Sequence, residues 1–254
     1  MTDTSINGPT SQNLHRKPLL LDLYSGAGGC SYGYHLAGFD VVGCDIVPMP
    51  RYPFEFYQDD ALNVLDTLLN GNTWHGYHLK DFAAIHASPP CQHYTTMINN
   101  NEHCRVEHPD LIAPTRSRLM ATGKPYIIEN VKGAKKEIPN AFSLCGCMFP
   151  GLRVKRERLF ESNVLIFSPF HDKKYCRSIR VAHASRIPRG DEWWSAIGCF
   201  GQKDQAQRAM GITWMKTTGS RDTEIAQAIP PAYTKWIGQQ LLDYINQEVD
   251  GGAA

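Results

Sequence analysis

Long hydrophobic runs are missing from this chain of 254 residues. The longest, such as Leu19 to Leu23, fall far short of a bilayer's thickness, which excludes a bundle of membrane-spanning helices. Residues 1–17 are polar, and no apolar stretch follows Arg16 and Lys17, so no secretory signal is expected and the expected location is the cytoplasm. Excess charge of either sign is also missing. A formal net charge of +1 excludes a protein that coats nucleic acid with its whole surface. The eight cysteines, at 30, 44, 91, 104, 145, 147, 176 and 199, lack any C-x-x-C pair. Cys145 and Cys147 stand closer together than in an ordinary zinc knuckle. A chain of this size with no export signal needs no disulfide staples, so reduced thiols and no metal are expected.

What is present is a localised imbalance. Residues 151–190 hold ten Lys or Arg and three Asp or Glu, a balance of +7, and the flanking stretches are each near −3. Such a segment is either a polyanion contact or a solvated loop.

Strand and helix signals alternate, as in an α/β protein with a mainly parallel, doubly wound sheet. Lys17–Tyr24 reads as a buried strand, followed by the glycine turn 25–29 and a helix over Tyr32–Ala37. Phe39–Cys44 is a second strand, Ala61–Leu69 an amphipathic helix, and Phe82–His86 a third strand. Asp110–Ala121 reads as a helix, Tyr126–Ile128 as a strand, and Pro231–Val249 as a closing helix. The basic stretch 161–205 interrupts this rhythm and is expected to form a small separate lobe on a body made of 1–160 and 206–254.

The chemically capable residues fall at strand carboxyl ends, where open α/β sheets bind ligands. The glycines at 26, 28, 29 and 33 do not make G-x-G-x-x-G, so an adenosine-type cofactor without a pyrophosphate fits better than a dinucleotide. Asp45 is placed to accept from ribose hydroxyls. Asp60 either accepts from an adenine amino group or caps the helix beginning at Ala61. In Ser88-Pro-Pro-Cys-Gln92 two prolines stiffen the backbone before Cys91, which is either an activated nucleophile or an inert buried thiol. Glu129, closing an apolar strand, can share a proton with a ring nitrogen once burial raises its pKa, or can pair with an arginine. Arg156 and Arg158 alternate along a presumed strand, so they would share one face suited to phosphate or carbonyl oxygens.

Taken in order, DLYSGAGG (22–29), SPPCQ (88–92), ENV (129–131), KRER (155–158) and IAQAIPP (225–231) resemble the DNA (cytosine-5) methyltransferase family, in a compact form suited to a phage or a bacterium. The matches span nearly the whole chain. The resemblance implies a Rossmann-like sheet with a small inserted DNA-recognition lobe. It implies S-adenosyl-L-methionine as donor, leaving as S-adenosyl-L-homocysteine, with Tyr24, Ser25, Gly26, Gly28, Asp45, Asp60, Pro90 and Gln227 around it. Cys91 would add to C6 of a flipped cytosine, Glu129 would grip the N3 and N4 edge, Asn130 would orient the catalytic loop, and Arg156 and Arg158 would serve the base carbonyl and the thiolate. Gln92 and the loop to Asn101 would close over the base. Lys173, Lys174, Arg177 and Arg180 would track phosphates, and Arg186, Arg189, Trp193 and Trp194 would reach bases, Trp194 serving equally as core of the lobe. Double-stranded DNA is the expected partner, a monomer the expected state, and restriction-modification a fitting context.

The chain departs from the family pattern where Val154 replaces a Gln and where Gln227 stands for an Asn. Other functions left open are an RNA (tRNA) cytosine-5 methyltransferase, a catalytically silent DNA-binding relative, and a nicotinamide-dependent dehydrogenase, which the glycine spacing disfavours.

Overall fold

The computed structural model describes residues 17–91, 94, 109–183, 186–194, 203–215 and 224–251. Seven strands form one sheet: β1 (Leu19–Leu23), β2 (Asp40–Asp45), β3 (Glu55–Gln58), β4 (Phe82–Ala87), β5 (Tyr126–Asn130), β6 (Phe142–Leu144) and β7 (Arg158–Ser162). Their order across the sheet is β3-β2-β1-β4-β5-β7-β6. The first five in that order run parallel, and β7 lies antiparallel between β5 and β6.

Consecutive side chains of a strand point to opposite faces, and β1 is apolar on both. Leu21 and Leu23 pack with Val64, Leu65 and Leu68 of α2 (Ala61–Leu69) and with Ile112 and Leu119 of α3 (Ile112–Ala121). Leu20 faces Tyr34 of α1 (Gly29–Ala37) and Tyr233, Ile237 and Leu241 of α7 (Pro231–Gly251). The result is a helix–sheet–helix sandwich, the arrangement that buries a sheet with two apolar faces. Helices α1 and α7 touch closely because Gly33 has no side chain: a Cβ there would collide with the Thr234 hydroxyl and the Pro231 carbonyl. The Thr234 hydroxyl donates to the Cys30 carbonyl, 2.8 Å away, and ties the same crossing.

A third apolar cluster lies beyond the sheet. It joins Ala27 of the glycine turn to Val154, to Ala206 and Met210 of α5 (Lys203–Met210), to Ile212 and Met215, and to Ile225 of α6 (Glu224–Gln227). Met210 and Ile212 thus buttress the glycine turn.

The alternation read from the sequence holds for β1, β2, β4, β5 and the helices α1, α2, α3 and α7, with ends moved by a few residues. Strand β3 had no signal because, at the sheet edge, two of its four residues are exposed and the other two only partly covered. The 155–157 stretch is not strand, so simple alternation does not place Arg156 and Arg158; β7 begins at Arg158 and runs on to Ser162. In the basic segment, the described residues form one short helix, α4 (Lys173–Ser178), and two isolated bridges, Val154–Trp194 and Val181–Trp193. No helix among the described residues is long and apolar enough to cross a membrane.

Candidate active site

Strand order reverses about β1, which leaves a crevice at the carboxyl ends of β1 and β4. The glycine turn enters it directly from β1. Tyr24 takes a left-handed backbone (φ 55°), and its hydroxyl lies 2.9 Å from Thr115 Oγ1. The Ser25 amide donates to the Cys44 carbonyl (3.0 Å), and the Gly26 amide donates to Asp45 Oδ2 (2.9 Å). Asp45, at the end of β2, therefore first holds the turn itself, and its other oxygen accepts from the Val47 amide. A Cβ on Gly26 would meet nothing within 4 Å, whereas one on Gly28 (φ 86°) would press on Pro53 and Tyr52. The turn is packed on one side and approachable at Gly26, a cradle that suits a nucleoside ligand bound against backbone.

Asp60 does cap α2: its Oδ1 accepts from the Leu62 and Asn63 amides at 2.9 and 3.1 Å. The helix-cap alternative is thus realised, through Oδ1 alone. Gln227 closes α6, and the next residues reach the turn, since a Cβ on Gly29 would sit 2.6 Å from the Ile229 carbonyl.

β4 delivers the stiff turn that carries Cys91. The Ser88 amide donates to Leu23 (3.1 Å), and the Asn130 side-chain amide donates to the Pro89 carbonyl (3.0 Å). Asn130 thus clamps the Ser-Pro-Pro-Cys turn from the neighbouring strand. Pro90 and the half-buried Cys91 follow. Gln92 and most of the expected lid, 92–101, lie outside the described residues.

Glu129 is buried at the end of β5, and burial raises its carboxyl above the ordinary range, opposed by Arg158, Ser88 and Arg156. Arg158 Nε lies 3.2 Å from Glu129 Oε1. Arg156 is deeply buried: its guanidinium donates to the Ala226 carbonyl, and its own carbonyl accepts from the Tyr233 hydroxyl. Burial, then repulsion from Arg158, pulls Arg156 down to about 9, while Glu129 and Cys91 act in the opposite sense. Arg156 therefore feels both the acid and the thiol.

Several contributors were not evident from the motifs. His86 is buried, with Nδ1 2.9 Å from the Tyr34 hydroxyl and Nε2 3.0 Å from Ser88 Oγ. Burial holds its pKa down at about 3, so the ring is neutral. The neutral ring thus links Tyr34 to Ser88, and the Ser88 hydroxyl in turn reaches Glu129. This chain fixes the carboxyl from behind. Trp214 donates its indole N–H to the Ala27 carbonyl (2.7 Å) and secures the glycine turn. Asp22, wholly buried in β1, accepts from Ser31 and is pushed up to about 7, first by burial and then by Asp45 and Glu129.

The basic segment divides into two groups. Lys173, Lys174 and Arg177 stand exposed on α4. Arg180 instead pairs with Asp191, and Arg186 makes a two-pronged pair with Glu192 at 2.6 and 2.7 Å. The Arg189 side chain is exposed, and its amide donates to Glu192. Trp193 is buried, and Trp194 packs on the third cluster, so both indoles serve the interior here. The thiols are not all isolated either: Cys145, Cys147 and Cys176 converge with His171, which spacing along the chain had not foreshadowed.

No family model matches the sequence, and no curated protein does. Solved structures do match the fold. A putative DNA modification methyltransferase encoded within an E. coli prophage superposes with a TM-score of 0.55 at 13% identity, over 90% of this chain and 99% of that one. The Dnmt2 methyltransferase of S. pombe gives 0.50 at 14%, covering 90% and 99%. The methyltransferase EhMeth of Entamoeba histolytica gives 0.51 at 14%, covering 92% and 99%. The chain has a methyltransferase fold. That fold is shared with a DNA modification methyltransferase and a Dnmt2 methyltransferase.

Proposed function

We propose that the protein transfers a methyl group from S-adenosyl-L-methionine to C5 of a flipped cytosine in double-stranded DNA. The observation that carries this is the Cys91 turn, clamped by Asn130 beside buried Glu129 and the two arginines at adjacent strand ends. Cys91 as thiolate bonds to C6, and the ring's electrons move toward C5. Glu129, kept protonatable by burial, holds N3 as that charge develops. Arg158 steadies the carboxyl, and Arg156 supplies positive charge near the sulfur. The donor, bound along Tyr24–Gly28 with Asp45 and Asp60 beside it, supplies an electrophilic methyl group. Loss of the C5 proton to a base then expels Cys91 and restores aromaticity.

Lys173, Lys174 and Arg177 are the residues we assign to phosphates. Arg180 and Arg186, already paired with acids, contribute less. Of the stretch 161–205, the part between β7 and α5 would form the recognition lobe.

The test is methyl incorporation and trapping. Wild-type protein should form a covalent complex with 5-fluorocytosine DNA, and Cys91→Ser should form none while still binding DNA. Turnover by Cys91→Ser would exclude the nucleophile. Preferential methylation of tRNA in a parallel reaction would move the substrate from DNA to RNA.

A further inference from the structure

Away from the crevice, four side chains meet that the proposed reaction does not use. Cys145 follows β6, Cys147 lies in the short turn after it, His171 precedes α4, and Cys176 lies within α4. Their ligand atoms all lie within 4.8 Å of one another. The Cys145 and Cys176 sulfurs are 3.9 Å apart. That separation is far beyond a disulfide bond, about 2.05 Å. It matches one edge of a tetrahedron, because two sulfurs about 2.3 Å from a shared zinc ion stand about 3.8 Å apart.

The imidazole supplies an independent sign. His171 Nε2 is buried with no hydrogen-bond partner. A buried ring nitrogen left bare is costly, and an imidazole grouped with three sulfurs finds a natural partner in a cation.

We propose that Cys145, Cys147, His171 and Cys176 bind one zinc ion as a closed, structural site. Three thiolates and one neutral imidazole suit a borderline-soft ion with tetrahedral preference. Binding exchanges three thiol protons for the metal and releases them to solvent. Three thiolates on a divalent ion leave a charge of −1, which Lys173, Lys174 and Arg177 on the same short helix offset. Four protein ligands leave no position for water, so the ion does no chemistry.

Its work is mechanical. Helix α4 has no buried residue, and within it only Cys176, half-buried, packs against the second core cluster, so apolar packing holds it weakly. The turn bearing Cys145 and Cys147, by contrast, is anchored. The Cys145 amide donates to the Met148 sulfur (3.2 Å), and Phe149 stacks on Tyr233 of α7 at 5.1 Å. Metal would therefore fasten the basic helix to the rigid edge of the sheet.

Tag-free protein, purified under reducing conditions without chelator, should carry about one zinc per chain by elemental mass spectrometry. Cobalt-loaded protein should show the visible bands of a tetrahedral thiolate site. X-ray absorption on wild-type zinc protein should show three sulfurs at about 2.3 Å and one nitrogen at about 2.0 Å, an arm that needs no variant to fold. Cys176→Ser and His171→Ala should each bind zinc at least about tenfold more weakly in competition with a chromophoric chelator. Cys91→Ser should keep the full metal content. Metal-free protein that gives no cobalt spectrum after reconstitution overturns the proposal. So does wild-type affinity in Cys176→Ser, or an oxygen-rich coordination shell.

Discussion

Asp22 offers a quantitative test of the site's electrostatics through stability alone. Its carboxyl is fully buried in β1, and Ser31 donates to one oxygen while the other has no hydrogen-bond partner. Burial, with Asp45 and Glu129 nearby, moves its pKa from 3.8 to about 7. Below about pH 4 the folded and unfolded chains both hold the proton. As pH rises the unfolded chain releases it first, so stability falls until the folded pKa near 7 is passed, and is flat beyond. A shift of about three units corresponds to about 4 kcal/mol at most, of which roughly 3 kcal/mol accrues between pH 5 and pH 8. Asp22→Asn cannot ionise. Any cost of its amide packing is the same at every pH, so only the difference between variant and wild type matters. We expect that difference to move in favour of the variant by about 3 kcal/mol from pH 5 to pH 8, or roughly 6–10 °C in relative melting temperature. Scanning calorimetry of both proteins across this range measures it. A gap in melting temperature that stays constant, or that shifts toward wild type as pH rises, would refute the burial argument.

Other outcomes follow from the same contacts. Glu129→Gln keeps the shape but holds no exchangeable acid proton, so single-turnover methylation should fall by about 10²–10⁴ while melting temperature changes little; an unchanged rate removes Glu129 from the chemistry. Asn130→Ala frees the Pro89 carbonyl, costing about 1–3 kcal/mol of stability and slowing trapping by 5-fluorocytosine DNA; normal trapping would show that the turn needs no clamp. Gly33→Ala should destabilise by about 2–3 kcal/mol in thermal or urea unfolding, because the α1–α7 crossing has no room for a methyl group. Replacing Lys173, Lys174 and Arg177 together by Ala should flatten the dependence of log affinity on log salt by about 2–3. An unaltered slope places the phosphates elsewhere.

The glycine turn, the Pro-Pro-Cys turn and Glu129-Asn130 were legible because each is a contiguous string closing a strand, and periodicity alone shows where strands end. Sheet order and the edge strands β3 and β6 were not, since three or four residues are too few to carry a repeat. Asp60 shows the limit at single-residue scale. An acid before a helix reads equally as cap or as ligand, and its Oδ1 is now seen to cap.

By itself the sequence settled the alternation of strands and helices, the strand ends at which the candidate site residues stand, and the likeness to cytosine-5 methyltransferases. These rest on neighbours along the chain, whose spacing is covalent. Only the tertiary structure decided which charges are already answered, as Arg180 and Arg186 are by Asp191 and Glu192. It alone set how far burial moves Asp22 and Glu129, and it alone brought Cys145 and Cys147 to His171 and Cys176. Those facts depend on distances through space between distant segments, which follow from how the helices and the sheet pack.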